Sequence, residues 1–327
     1  MAEMSRSSRI LVRSLWILGV QVLLHSVSGG SAITTHTATA DPLAWQDPEG
    51  QETHFASVPE LRDFLRTAKI LKIKEIGVGV THPRKLLLEK DGVRLHAHFQ
   101  SHDEARDRIR VQSGAVELNF RDSYKFNIAA YELSRLLGMS NVPPSFPRTV
   151  RGELGAITVW LEDTFTEKSR QSDQISPPQP LHWHRQLVGM WIFDELVGNT
   201  DRNLGNILID RDWKIWLIDH TRAFRLHKKL KFSGHAIPSC ERRLWEALKS
   251  VTDDEIKAAL KPWLETSEIK AVVRRRRLLV SHIETLIESK GQEVAIFDLD
   301  EGELRVSDRP QVGTMAGRPF AHNAPVP

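Results

Sequence analysis

The chain has 327 residues, a formal net charge of +3 and an apolar share of 40%, enough to bury a sizeable core in one large domain or in two lobes sharing a cleft. Nine Trp and twelve Phe argue against a disordered chain, and the near balance of charge gives no electrostatic case for nucleic acid. The single cysteine, Cys240, excludes an internal disulfide.

Residues 1–32 read as a secretory signal peptide. Arg6, Arg9 and Arg13 precede an apolar run from Leu15 to Leu24, and the small residues Gly30, Ser31 and Ala32 close it. The alternatives are an uncleaved anchor or an over-extended start, but the run is short for a bilayer span. Removing it takes away three Arg and one Glu, so the formal charge falls from +3 to +1. The expected protein is therefore exported, to a periplasm, a secretory lumen or the extracellular space, with no stable membrane span after cleavage.

Residues 33–56 are polar, without a steady period, and read as a linker. Ser57 with Glu60 three residues on predicts a helix start, followed by Leu61, Phe64 and Leu65 at helical spacing. From Ile70 to Gln100 short apolar runs alternate with turn residues and predict strands, with Asp91-Gly92 as a two-residue hairpin turn. "YKFNIAAYELSRLLGMS" predicts a helix ending near Gly138, and the segments "VPPSFPRTV" and "GAITVWLED" return to extended structure.

The proline-rich "RQSDQISPPQPLHW" reads as a connection between lobes. An amphipathic helix over residues 182–197 follows, its Leu187, Met190, Trp191 and Leu196 serving as core. The short strands "NILID" and "KIWLIDH" come next, then a helical third from about Glu241 to Ser289. The domain reading is residues 57–175 as a β-rich first lobe, 176–305 as a helical second lobe and 306–327 as a disordered tail.

"GNTDRNLGNILID" carries Asp201 and Asn206 five apart in a turn, and Asp219 ends the second strand thirteen residues after Asn206. Two carboxylates and an amide brought to one side suit a divalent cation between phosphates, with the remaining group free to orient a hydroxyl. Asp and Asn are also ordinary turn residues; the ordered pair of motifs at hairpin distance is what favours phosphoryl transfer.

With "FNIAAYELSRLLGMSNVPPSFPR", "WIFDELVGNTDRNLGNIL" and "WLIDHTRAF", the sequence resembles the atypical kinases. The likeness is to the secretory-pathway kinases of proteins and sugars and their bacterial relatives, and more distantly to the phosphatidylinositol 3/4-kinase-like group. It runs from about Leu71 to Asp219. The resemblance implies an α+β, two-lobed protein-kinase-like fold with a β-rich N-lobe and a mainly helical C-lobe. It implies ATP, with Mg or Mn, as the phosphate source and a protein, sugar or lipid hydroxyl as acceptor.

On that resemblance Asp201 would be the catalytic base, Arg202 a brace of its loop, and Asn206 and Asp219 the metal ligands, with His220 replacing the usual Phe or Asn. Gly77 and Gly79 would belong to a glycine-rich loop. The phosphate-pairing lysine is replaced by Gln100, a neutral amide that cannot supply the charge, and Lys85 on the adjoining strand matches a second lysine of the secretory kinases. Asp122 falls near the family's helix acid, Asn127 occupies an often acidic position, and Glu132 shares the helix. The departure at Gln100 also admits a pseudokinase, the same fold used as a binding module.

Two clusters point elsewhere. His96, His98 and His102 could hold zinc, and against that stands their reading as surface histidines on an edge strand. Arg274 to Arg277 could bind anions, but four consecutive helical residues point all round the axis, so at least one side is expected to snorkel or pair with acids, and a solvated face is the favoured reading.

Overall fold

Strand register decides which face of the first lobe is core and which is free for chemistry. The computed structural model describes residues 43–77, 83–110, 116–232 and 236–299; the expected signal segment, Gly79 and the tail lie outside them. Strands β1 (Leu43–Gln46) and β2 (Glu52–Phe55) pair as an antiparallel hairpin, where the sequence reads as a linker. The Asp47 carboxylate closes the turn by accepting from the backbone N–H groups of Glu49 and Gln51, and Trp45 and Phe55 are buried in the core. A few alternating apolar side chains suffice to dock a hairpin whose polar neighbours hide its period.

Helix α1 (Val58–Thr67) starts at Ser57, whose hydroxyl accepts from Glu60 N, while the Glu60 carboxylate accepts from Ala56 N. A five-stranded antiparallel sheet follows, in the order β3 (Lys69–Glu75), β4 (Arg84–Lys90), β5 (Val93–Gln100), β9 (Glu153–Val159), β8 (Ser145–Val150). The β4–β5 turn is the expected two-residue one, with Lys90 opposite Val93 and positive φ at Asp91 and Gly92.

Leu86 faces Ala97, Leu88 faces Leu95, and Phe99 faces Ile157 on one side of this sheet. All six are fully buried or nearly so, beneath α1 and α2 (Tyr124–Leu136). Each of the larger ones contributes about 1.5–3 kcal/mol by leaving water. The other face therefore carries Lys85, Leu87, His96, His98 and Gln100, and it looks into the cleft. A separate charged hairpin, β6 (Asp103–Arg110) and β7 (Val116–Ser123), leads into α2.

After β9 the chain forms β10 (Phe165–Thr166) and α3 (Glu167–Ser172). Strand β10 already pairs with β11 (Ile207–Ile209), which pairs with β12 (Ile215–Leu217). Helix α4 (Pro180–Val197) is buried on every side from Ile192 to Val197, so its C-terminal half is a core rod rather than the amphipathic helix expected. The chain continues with β13 (Cys240–Glu241), α5 (Arg242–Ser250), α6 (Asp253–Leu260), α7 (Thr266–Lys290), α8 (Gln292–Ala295) and β14 (Ile296–Phe297), of which β13 and α7 pack directly on α4 and α6 packs on α2 and α7.

The arginine run on α7 is a solvated face only in part, with Arg274 and Arg277 exposed and Arg277 paired with Asp253. Arg275 is 0% exposed and donates to the carbonyls of Leu196, Arg225 and His227; Arg276 donates to Leu248 O and Asp253. Carbonyls left over at the end of α4 and in the segment after β12 explain why a guanidinium is drawn inside.

Candidate active site

The α4–β11 loop is shaped by one arginine. Arg202 pairs with Asp194 of α4 at 3.0 Å and donates through Nη1 to the carbonyls of Asn206 and Ile218, both at 2.7 Å, and through Nη2 to Asp194 and to Nε2 of His220. All five of its N–H groups are thereby engaged, so Arg202 positions the loop and has no donor left for a substrate. Asn199 bridges Asp194 to the backbone N–H of Asp201, and a single 3-10 turn, Leu204–Asn206, leads into β11.

His220 accepts from Arg202 and packs edge-on against Phe193. Burial, helped by the Arg202 charge, pushes its pKa well below the usual value and keeps the ring neutral. The residue after Asp219 is thus an acceptor that completes the clamp, a role that the more usual Phe could not fill.

Asp219 sits at φ 53, a left-handed conformation uncommon outside glycine and frequent at functional sites. Its Oδ1 accepts from the Thr221 hydroxyl at 2.9 Å. The segment beyond it is pinned by Ser123 N to Thr221 O, Phe224 N to Val197 O, and Phe126 against Phe224. Arg222 then reaches back, with Nε 3.0 Å from Asp122 Oδ2 and Nη1 3.5 Å from Asp201 Oδ2.

The structure therefore gathers Asp201, Asn206, Asp219 and Asp122 about one floor. Burial raises the pKa of Asp201, opposed by Arg222 and reinforced by Asp219 and Asp122. Asn206 commits its amide nitrogen to Asp201 O, and Asp122 Oδ1 is buried without a partner among the described residues. By donor chemistry this all-oxygen set, with its unpartnered carboxylate oxygen, is of the kind a hard divalent cation takes, although the side chains are not themselves drawn together as a ligand cluster.

On the roof, Gln100 and Asn127 are both buried and hydrogen-bonded at 3.3 Å, and Asn127 Oδ1 accepts from His220 N. Lys85 is drawn aside, 3.5 Å from Glu162 and over the Trp160 ring; burial lowers its pKa against the raising effect of Glu162. Gly77 follows β3, and the backbone N–H of Ile76 donates to Pro83 O.

Glu132 faces Arg62 and Arg135, away from the floor. His96 and His102 pair with Glu162 and Glu104, and no group of three His, Cys, Asp or Glu among the described residues is arranged to hold a metal. Sequence reasoning missed Arg222, Asp194 and Glu162. Arg222 stands three residues after Asp219 in a motif already singled out, and Asp194 sits on the preceding helix.

No protein-family model and no curated protein matches the chain. Among solved structures, hydra Fam20 with sugar superposes with a TM-score of 0.57 at 17% identity, covering 74% of this chain and 92% of its own. The Helicobacter pylori proinflammatory kinase CtkA gives a TM-score of 0.43 at 11% identity, covering 71% and 98%. The chain has the Fam20-like kinase fold, with a β-rich first lobe and a helical second lobe.

Proposed function

We propose that the protein is an atypical kinase that transfers the γ-phosphate of ATP to a hydroxyl of a protein, sugar or lipid acceptor. The observation that carries this reading is the Arg202 clamp. Five donors spent on tying the Asp201–Asn206 loop to Asp194 and to the two residues that flank Asp219 are more than a turn needs. Asp201 would accept the acceptor's hydroxyl proton, its raised pKa making it a better base. Asp219, the Asn206 oxygen and Asp122 would hold Mg or Mn, which supplies charge neutralisation at the phosphates.

Residues 57–175 and 176–305 would be the two lobes and residues 1–32 a signal for export. Among the described residues no helix is long and apolar enough to cross a membrane.

A pseudokinase is the second reading, favoured by the neutral pair of Gln100 and Asn127 where a lysine and an acid are usual. Thermal melts of the full chain with ATP, with and without Mg or Mn, alongside Asp219→Ala, separate the two. Nucleotide at about 100 times its Kd adds about 2.7 kcal/mol, a rise of a few degrees for a chain this long. A metal-dependent rise lost in the variant, with phosphate appearing on an acceptor, supports the kinase. No rise in well-folded wild type refutes it.

A further inference from the structure

We propose that Arg222 contacts the transferred phosphate and supplies the charge that Gln100 lacks; the inference rests on the kinase reading above. At the positions of Gln100 and Lys85 no cation is free, since Gln100 is an amide spent on Asn127 and Lys85 is answered by Glu162. The floor offers one instead. The Arg222 guanidinium lies against the Phe120 ring, between Asp122 and Asp201. Its Nε and Nη1 are engaged, and its Nη2 has no partner among the described residues. The side chain is 35% exposed, so a ligand can reach it.

Place and charge both identify the phosphate it would meet. A hydroxyl hydrogen-bonded to Asp201 has to lie about 3 Å from the phosphorus it attacks. A guanidinium 3.5 Å from the same carboxylate therefore borders the γ-phosphoryl group rather than the base or ribose. Asp122, Asp201 and Asp219 all act on this one cation, and one guanidinium cannot pair fully with three carboxylates. A divalent ion taken by Asp219 and Asp122 would release the fork, whose planar N–H pairs match phosphate oxygens.

In the transfer itself the acceptor O–H proton passes to Asp201, the new O–P bond forms, and the bond between the γ-phosphorus and the β-bridging oxygen breaks, releasing ADP. Arg222 stays protonated throughout and stabilises the charge on the γ-oxygens, as arginines do in phosphoryl transfer.

Calorimetric titration of the full chain with ATP and with ADP, each with Mg, tests this in wild type, Arg222→Gln and Arg222→Lys. A contact to the γ-phosphate predicts that Arg222→Gln weakens ATP about tenfold or more and ADP by less than about twofold. Arg222→Lys, which keeps the charge without the fork, should fall between. The lysine variant also keeps the test decisive if the glutamine variant does not fold. Equal affinities of wild type and variants for ATP, or an equal loss for both nucleotides, overturns the assignment of Arg222. Wild type that binds neither nucleotide overturns the kinase reading itself.

Discussion

The side-chain nitrogen of Asn127 donates to Gln100 Oε1 at 3.3 Å while the Asn127 oxygen receives the backbone N–H of His220 at 2.8 Å. One amide thus ties the β5 roof, helix α2 and the segment after Asp219 together without any charge. The two neutral residues act as a unit.

From this follows a paired behaviour of substitutions. Gln100→Lys alone would bury an ammonium against an amide nitrogen, and turning the amide to accept it would break the bond from His220. The single change is expected to cost about 2–3 kcal/mol. Adding Asn127→Glu supplies a carboxylate that can serve both the new ammonium and the His220 N–H, and should recover most of the loss. Urea denaturation of the two variants decides it: a single variant as stable as wild type would show that the pair is not coupled.

Arg202 allows a sharper separation of fold from chemistry. Its five donors span α4, the loop and the strand end, a reach that a lysine's single nitrogen cannot copy. Arg202→Lys is expected to lower stability by about 3 kcal/mol. If the kinase reading holds, the loosened loop should also slow transfer about a hundredfold, with nucleotide affinity changed far less. Transfer and binding measured on the same preparation give the answer, and an unchanged transfer rate would remove Arg202 from its positioning role.

The sequence carries the catalytic loop clearly because Asp201, Asn206 and Asp219 lie within nineteen residues of one another, where turn geometry leaves little freedom. The turn at Asp91-Gly92 and the cap at Ser57 are legible for the same reason: the physics is local. What stays hidden is long-range. Arg222 meets Asp122 across 100 positions and Arg275 meets Leu196 across 79, and no period or spacing announces that a charged residue will turn inward. The hairpin of residues 43–55 escapes notice because only alternate residues are apolar and its partner surface, with Trp216 against Trp45, lies in the other half of the chain.

Acidification should unfold the protein through its histidines. Burial, aided by Arg202, holds His220 well below its usual pKa, and burial with Arg275, Lys231 and Arg225 holds His227 at about 4. Burial also lowers His98, against the pull of Asp219. The folded chain keeps these rings neutral, whereas the unfolded chain takes up protons below about 6.5. Stability is therefore full above about pH 6.5 and is lost as pH falls towards about 4. Melting temperatures at about pH 7 and about pH 5.5, a range above most carboxylate titration, should drop in wild type and drop less in His227→Gln. A wild-type melt independent of pH across this range would contradict the neutral-ring account.

Arg275 and Gly198 form the tightest test of the second lobe. Gly198 ends α4 at φ 63, and a Cβ built there would come within 2.9 Å of the Arg275 guanidinium carbon, so alanine is disfavoured by both backbone strain and space. Burial lowers the Arg275 pKa to about 10, yet its partners are backbone carbonyls. Replacing it with an apolar residue therefore differs from replacing a buried ion pair: the three acceptors stay behind, unpaired in the core. Arg275→Met is expected to cost about 3 kcal/mol or more, with Arg275→Ala worse by the added cavity. Gly198→Ala loses its steric conflict once the guanidinium is gone, so the double variant Gly198→Ala/Arg275→Ala should be less destabilised than the sum of the singles. Strict additivity in denaturant unfolding would show that the two positions do not press on each other.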